Sequence, residues 1–158
     1  MRQKIIAVCG AKNAGKTTLL ERLLPALRRR NVNAAVIKHD GHRFSPDREG
    51  TDTRRMLDAG AIGAAVFDGE KFQAVKYAHV TEQELIGLFP EADVILLEGF
   101  KASDWPKIEI VRGEGGCVSP DPGTLTALVT DTPLRIPGVP VFGIAEIEAL
   151  ADFLCALE

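Results

Sequence analysis

The sequence predicts an α/β fold, a mainly parallel twisted sheet with helices on both faces and one antiparallel hairpin. Three observations predict it. Short β-branched apolar runs alternate along the chain with stretches of helical periodicity, the mark of strand–helix units. Most strand-like runs are continuous in apolar residues rather than alternating, as in strands covered on both faces. One pair of runs departs from this order, being joined by Asp68-Gly69, a strong hairpin signal.

The elements follow in order. "KIIAVC" (Lys4–Cys9) is the first strand, short and rich in β-branched residues. From Thr17 to Arg30 the leucines at 19, 20, 23, 24 and 27 keep helical spacing, and Arg28 to Arg30 place positive charge at the helix C-terminus. Pro25 lies inside this helix and predicts a kink. "AAVIKH" (Ala34–His39) is the second strand. "TDTRRMLDAG" reads as a helix with Thr51 or Asp52 at its cap and Gly60 at its stop. "AAVFDGEKFQAVKY" supplies the hairpin, and "TEQELIGLF" opens with Thr81 and Glu84 at capping-box spacing. "DVILLE" (Asp93–Glu98) and "KIEIVR" (Lys107–Arg112) are buried strands. After the Gly/Pro-rich loop "GEGGCVSPDPG" come the strands "TALVT" and "VPVFGI" and the closing helix "AEIEALADFLCALE".

Composition bounds the function. A chain of 158 residues suits a single domain over 1–158, and 46% apolar with 26% charged residues is ordinary globular usage. A net charge of −3 gives no general field for nucleic acid, so any phosphate recognition must be local. No run approaches the roughly 18 apolar residues of a membrane span. Cys9, Cys117 and Cys155 are odd in number, far apart and without a C-x-x-C pair, which suits reduced thiols in a cytoplasmic protein.

"GAKNAGKT" (Gly10–Thr17) fixes the chemistry. It matches G-x-x-x-x-G-K-[ST] and stands between a strand and a helix, where the mechanism requires it. Glycines let backbone N–H groups approach phosphate oxygens, and the helix N-terminus adds partial positive charge. Lys16 can reach the β- and γ-phosphates, and the Thr17 hydroxyl can hold Mg²⁺. The nucleotide contacts so predicted are Gly10, Ala11, Lys12, Asn13, Ala14, Gly15, Lys16, Thr17 and Thr18. The α/β pattern with this loop is the P-loop NTPase fold. Glu98, closing an apolar strand before Gly99, is the candidate metal-side carboxylate, because ligands gather at the carboxyl ends of parallel strands. In a subgroup of dimeric phosphate-loop proteins an extra lysine reaches the partner's nucleotide. Lys12 stands one place later than theirs, so that role and a solvated side chain both stay open.

The phosphate loop, "AAVIKHDGH", "GTDTRRMLDAGA", "VILLEGFK" and "PKIEIVR", in that order, resemble the molybdopterin-guanine dinucleotide biosynthesis protein B family, MobB, from about residue 4 to 112. The resemblance implies a GTP-binding, Mg²⁺-dependent, usually dimeric protein with at most slow GTPase activity. It would assist the guanylyltransferase MobA, which attaches GMP to molybdopterin. Gly10 to Thr18 would hold the phosphates, Thr17 and Glu98 the metal, and the polar stretch after His39 would lie near the γ-phosphate. Members often carry threonine or serine where this chain has Asp40, followed by a second histidine; here Asp40-Gly41 precedes His42, which leaves that loop's role unassigned. Lys101 and Lys107, flanking Trp105, fit contact with the pterin phosphate or the partner enzyme, and otherwise a lysine-capped turn.

His39 and His42 at three-residue spacing suggest zinc, but no further ligand set matches, and the two histidines stand instead as candidates for contact with the substrate or partner. Asp40 has two readings, holding Mg²⁺ through water or orienting an attacking water on one hand, and forming a turn on the other. The rival function is a small-molecule kinase, which would close an arginine-bearing lid; the late loop carries no arginine after Arg112. A second rival is a binding module whose dimer the nucleotide stabilises without turnover. The N-K-x-D element that reads guanine in many GTPases is absent, and "VTDTP" around Asp131 is its positional substitute.

Overall fold

The computed structural model describes residues 3–40 and 48–157. Their contacts form two compact units, one built from the chain up to His39 and from Leu85 onward, the other from Asp40 to Glu84.

The first unit is a six-stranded sheet. Its strands are β1 (Lys4–Gly10), β2 (Ala34–Lys38), β5 (Val94–Glu98), β6 (Lys107–Val111), β7 (Leu125–Thr130) and β8 (Val141–Phe142). They lie in the order β2-β5-β1-β6-β7-β8, and every neighbouring pair is parallel. All six carboxyl ends therefore share one edge of the sheet, with β1 between β5 and β6.

Helix α1 (Lys16–Arg29) and helix α4 (Ile147–Ala156) cover one face, burying Leu19, Leu20, Leu23, Leu27, Ile147, Leu150 and Leu154 against Ile6, Val8, Leu96, Ile108 and Val129. Helix α1 runs through Pro25 without interruption, and Pro25 faces solvent. An internal proline costs about 3 kcal/mol, whereas each fully buried leucine contributes about 1.5–3 kcal/mol, so the four leucines outweigh it. Arg30, read as helical from the sequence, instead follows the last turn. It donates to Ala26 O at 2.9 Å and pairs with Asp152 at 2.7 Å and Glu148 at 2.8 Å, tying α1 to α4.

On the opposite face Ala7, Ile37, Ile95 and Leu97 pack with Leu85, Ile86, Phe89, Phe100 and Trp105. Helix α3 (Glu82–Ile86) supplies the first two of those covering side chains. The same face of β6 carries two fully buried charged residues, Lys107 and Glu109. Glu109 accepts from the amides of Val118 and Ser119, which fastens the 113–123 loop to the sheet. Burial, and next Glu109 beside it in register, push the Cys9 thiol up to about 12.

In the second unit α2 (Asp52–Asp58) is capped by Thr51, whose hydroxyl accepts from Arg54 N at 3.4 Å. Strands β3 (Gly63–Phe67) and β4 (Phe72–Lys76) form the antiparallel hairpin. Its turn is not the two-residue Asp68-Gly69 connection the sequence suggests. Phe67 pairs with Phe72, leaving four residues between, because the Asp68 carboxylate accepts from the amides of Glu70 (2.8 Å) and Lys71 (3.0 Å) and builds the turn itself. The predicted capping box is present: Thr81 N donates to Glu84 at 2.8 Å, and Glu84 N to Thr81 Oγ1 at 3.2 Å.

Candidate functional site

The loop from β1 to α1 is shaped for phosphate. Gly10 (φ 149°), Asn13 (φ 63°) and Gly15 (φ 95°) take backbone conformations that keep the segment tightly wrapped. At Gly10 no other residue fits, since a Cβ there would lie 2.6 Å from Ile110 O. Ala14 N donates to Ala11 O at 3.2 Å, and Leu19 N to Gly15 O at 2.8 Å starts the helix. The first-turn amides of α1 precede any intrahelical partner, and no acidic side chain occupies that turn. The helix dipole adds positive potential at the same place. Ala11, Lys12, Asn13, Thr17 and Thr18 are exposed, and Ala14 is buried beneath them. The Lys16 ammonium donates to Gly10 O at 3.1 Å and Ala11 O at 2.9 Å, across the loop.

Register brings the second part of the site to the same edge. Val8 lies beside Glu98, and Lys38 beside Glu98 on the other side. Glu98, only 7% exposed, accepts the Thr17 hydroxyl at 2.8 Å, with the Lys38 ammonium at 3.7 Å. A hydroxyl and a carboxylate are hard oxygen donors, and two such protein groups leave room for phosphate oxygens and water, which fits Mg²⁺. Among the described residues no group of three His, Cys, Asp or Glu side chains is arranged to hold a metal. After Glu98 the chain turns away through Gly99 (φ 104°) and Phe100 (φ 44°), and the left-handed Phe100 is local strain of the kind stored near functional sites. His39 N donates to Glu98 O at 3.0 Å, and the His39 ring meets Phe100 edge-on at 5.6 Å.

The structure therefore brings together Gly10 to Thr18 and Glu98, with His39 alongside Glu98. Asp40 is exposed and belongs to the second unit. His42 lies outside the described residues. Lys101 is exposed on the turn after β5. Lys107 corrects its sequence reading as a contact for a pterin phosphate or a partner enzyme. It is fully buried, and its ammonium donates to Ser103 O, to Trp105 O at 3.1 Å and to Thr124 Oγ1 at 2.9 Å. All three of its protons are consumed inside the fold, so it caps the 100–106 turn from beneath.

Two groups at this edge were not assigned from the sequence. Lys38 is one. Arg112, directly after β6, is the other: its Nη1 lies 3.8 Å from where a Gly15 Cβ would stand, and its Nε donates to Asp131 Oδ2 at 3.3 Å. The Gly113 amide and then Arg112 hold the Asp131 carboxyl below the usual carboxylate range. A polar residue closing an apolar strand at the carboxyl edge was the signal available.

Comparison with known proteins finds relatives in sequence and in fold. The family described as "Molybdopterin guanine dinucleotide synthesis protein B" matches residues 5–131. The molybdopterin-guanine dinucleotide biosynthesis adapter protein of Haemophilus influenzae is 33% identical over 95% of this chain and 86% of its own. Its namesake from Escherichia coli is 32% identical over 95% of this chain and 90% of its own. The crystal structure of Bacillus subtilis MobB superposes with a TM-score of 0.78 at 29% identity, covering 98% of each chain.

Proposed function

The chain belongs to the molybdopterin guanine dinucleotide synthesis protein B family, and from that premise we propose that it is a cytoplasmic GTP-binding accessory protein of molybdenum cofactor biosynthesis. In this reading it binds GTP with Mg²⁺, hydrolyses it slowly at most, and assists the guanylyltransferase MobA. The observation that carries it is the phosphate loop with Thr17 bonded to Glu98 at 2.8 Å. Gly10 to Thr18 cradle the phosphates through backbone amides, and Lys16 exchanges the carbonyls of Gly10 and Ala11 for phosphate oxygens. Bound Mg²⁺ would neutralise phosphate charge between the Thr17 hydroxyl and Glu98. Asp40 keeps the readings its sequence position gave it, holding Mg²⁺ through water or orienting an attacking water on one hand, and forming a turn on the other. His39, His42 and Lys101 are the remaining candidates for contact with molybdopterin or the partner enzyme.

We propose a homodimer as well. The hairpin exposes Val66 (52%), Phe67 (81%) and Phe72 (73%), and a two-stranded sheet is marginal without a cover. A second copy supplies one.

Competition of GTP against ATP for the purified protein with Mg²⁺ tests the assignment. Preference for GTP is expected, and preference for ATP would sink it. A single-turnover run with added metabolites separates the kinase alternative, since transfer of the γ-phosphate to a metabolite contradicts an accessory role.

A further inference from the structure

We propose that Lys38 holds the γ-phosphate of the bound nucleotide and so separates triphosphate from diphosphate; this rests on the nucleotide reading above. Strand order places it. β5 lies between β1 and β2, so the phosphate loop after β1, Glu98 closing β5 and Lys38 closing β2 stand in line along the carboxyl edge. Val8, Glu98 and Lys38 are partners in register, which puts their side chains on one face of the sheet. That is the face α1 covers, because Val8 and Leu96 pack with its leucines. Lys38 therefore stands beside the N-terminus of α1, the end that attracts phosphate.

One carboxylate oxygen records the arrangement. Glu98 Oε1 accepts the Thr17 hydroxyl at 2.8 Å and has the Lys38 ammonium at 3.7 Å. A cation already stands beside the hydroxyl and carboxylate that fit a metal. At 3.7 Å it is too far for a hydrogen bond, and 56% of the Lys38 side chain is exposed, so this ion pair is weak and readily exchanged. Among the described residues Glu98 is its one ion-pair partner. Charge then decides where the ammonium goes. Thr17 and Glu98 fix the metal end of the site, and with it the β- and γ-phosphates. Lys16 serves the loop side, bonded to Gly10 O and Ala11 O. Once Oε1 is shared with a divalent cation, the Lys38 ammonium is repelled from it. The terminal phosphate is the next anion for its flexible four-carbon stem. In a diphosphate complex that anion is missing, and the ammonium stays in solvent.

The test is calorimetric titration of GTP and GDP into the full chain with Mg²⁺, for the parent, Lys38→Met and Lys38→Gln, and for the same changes in a Glu98→Gln background. In both variants GTP affinity should fall about 10- to 100-fold, as for a lost charge-assisted phosphate contact, while GDP affinity moves less than about threefold. Retained GDP binding reports an intact phosphate loop, so misfolding cannot imitate the split. A role confined to neutralising Glu98 would lower both affinities together and disappear in Glu98→Gln, whereas a γ-phosphate contact keeps its GTP-selective loss there. Equal losses for the two nucleotides, an unchanged ratio of GTP to GDP affinity, or a loss that vanishes with Glu98→Gln each overturns the proposal. If Lys38→Met fails to fold, the ratio in Lys38→Gln decides alone. A parent that binds both nucleotides and keeps its ratio in the variants refutes Lys38 alone. A parent that binds no nucleotide refutes the underlying reading as well. A parent that prefers ATP refutes guanine only, and ATP against ADP then decides Lys38 in the same way.

Discussion

Replacing Glu98 by glutamine should uncouple nucleotide binding from magnesium while sparing the fold. The side chain is nearly enclosed, and its Oε1 accepts the Thr17 hydroxyl at 2.8 Å. Glutamine keeps the volume and a carbonyl acceptor for that bond, so the loss is confined to charge. The paired Lys38 ammonium is 3.7 Å away with 56% of its side chain exposed, a setting in which an ion pair contributes about 1 kcal/mol or less. The metal loses more. A charge-assisted hydrogen bond or ligand contact contributes about 1.5–3 kcal/mol, which is roughly a 10- to 150-fold affinity difference. The assay compares GTP dissociation constants with saturating Mg²⁺ and with a chelator. The parent should show a large ratio between the two, and Glu98→Gln a ratio smaller by that factor. Binding under chelator should hold or improve, because a carboxylate near the triphosphate has been neutralised. An unchanged ratio would refute the assignment of Glu98, and equal losses under both conditions would point to damage of the phosphate loop instead.

Three further outcomes are expected. Gly10→Ala places a Cβ 2.6 Å from Ile110 O and forces φ 149° on an alanine, so the protein should lose about 2–4 kcal/mol in denaturant titrations and bind nucleotide poorly; a parent-like midpoint would contradict the loop geometry. Lys107→Met leaves three oxygens without their buried donor and should cost about 1–3 kcal/mol in denaturant titrations, whereas a clearly stabilised variant would contradict the bonding described. The Cys9 thiol, pushed up to about 12 by burial and then by Glu109, should resist thiol reagents at pH 8 until the protein unfolds. Because its folded value lies above the ordinary 9.0, its contribution is complete below that pH and is lost as pH rises toward about 12. Melting temperatures at pH 8 and pH 10.5 should therefore diverge more in the parent than in Cys9→Ala, and identical slopes would exclude the thiol as their source.

Elements held by their own neighbours were legible in the sequence; those decided by distant partners were not. β5 and β1 announced themselves as continuous apolar runs because both faces of each are covered. The capping box at Thr81 and Glu84 needs only three residues of separation, and it formed as read. The hairpin turn went differently because the Asp68 side chain, rather than a glycine conformation, closes it. Lys107 shows the harder limit. Its place in "PKIE" looks like that of any surface lysine beside a turn, and only the fold reveals acceptors at Ser103, Trp105 and the distant Thr124.

The same distinction divides the site. Gly10 to Thr17 could be recognised because one contiguous segment supplies glycines, amides, ammonium and hydroxyl together. Its bond to Glu98 spans 81 positions, yet the place of Glu98 at the end of an apolar strand already put it at the carboxyl edge. Arg112 and Asp131 are 19 positions apart and become neighbours only because β6 pairs with β7 so that Val111 faces Thr130. With a net charge of −3 the chain offers no general attraction for a triphosphate, so affinity must come from these few oriented groups. That makes the order of contributions testable in principle. Lys16 already bonds two carbonyl oxygens, and a phosphate that takes it over gains only the difference between charged and neutral acceptors. On the proposed reading, the amides of α1 and a metal held at Glu98 would then supply much of the remainder. The magnesium ratio in Glu98→Gln is for that reason the measurement on which the assignment of this edge chiefly depends.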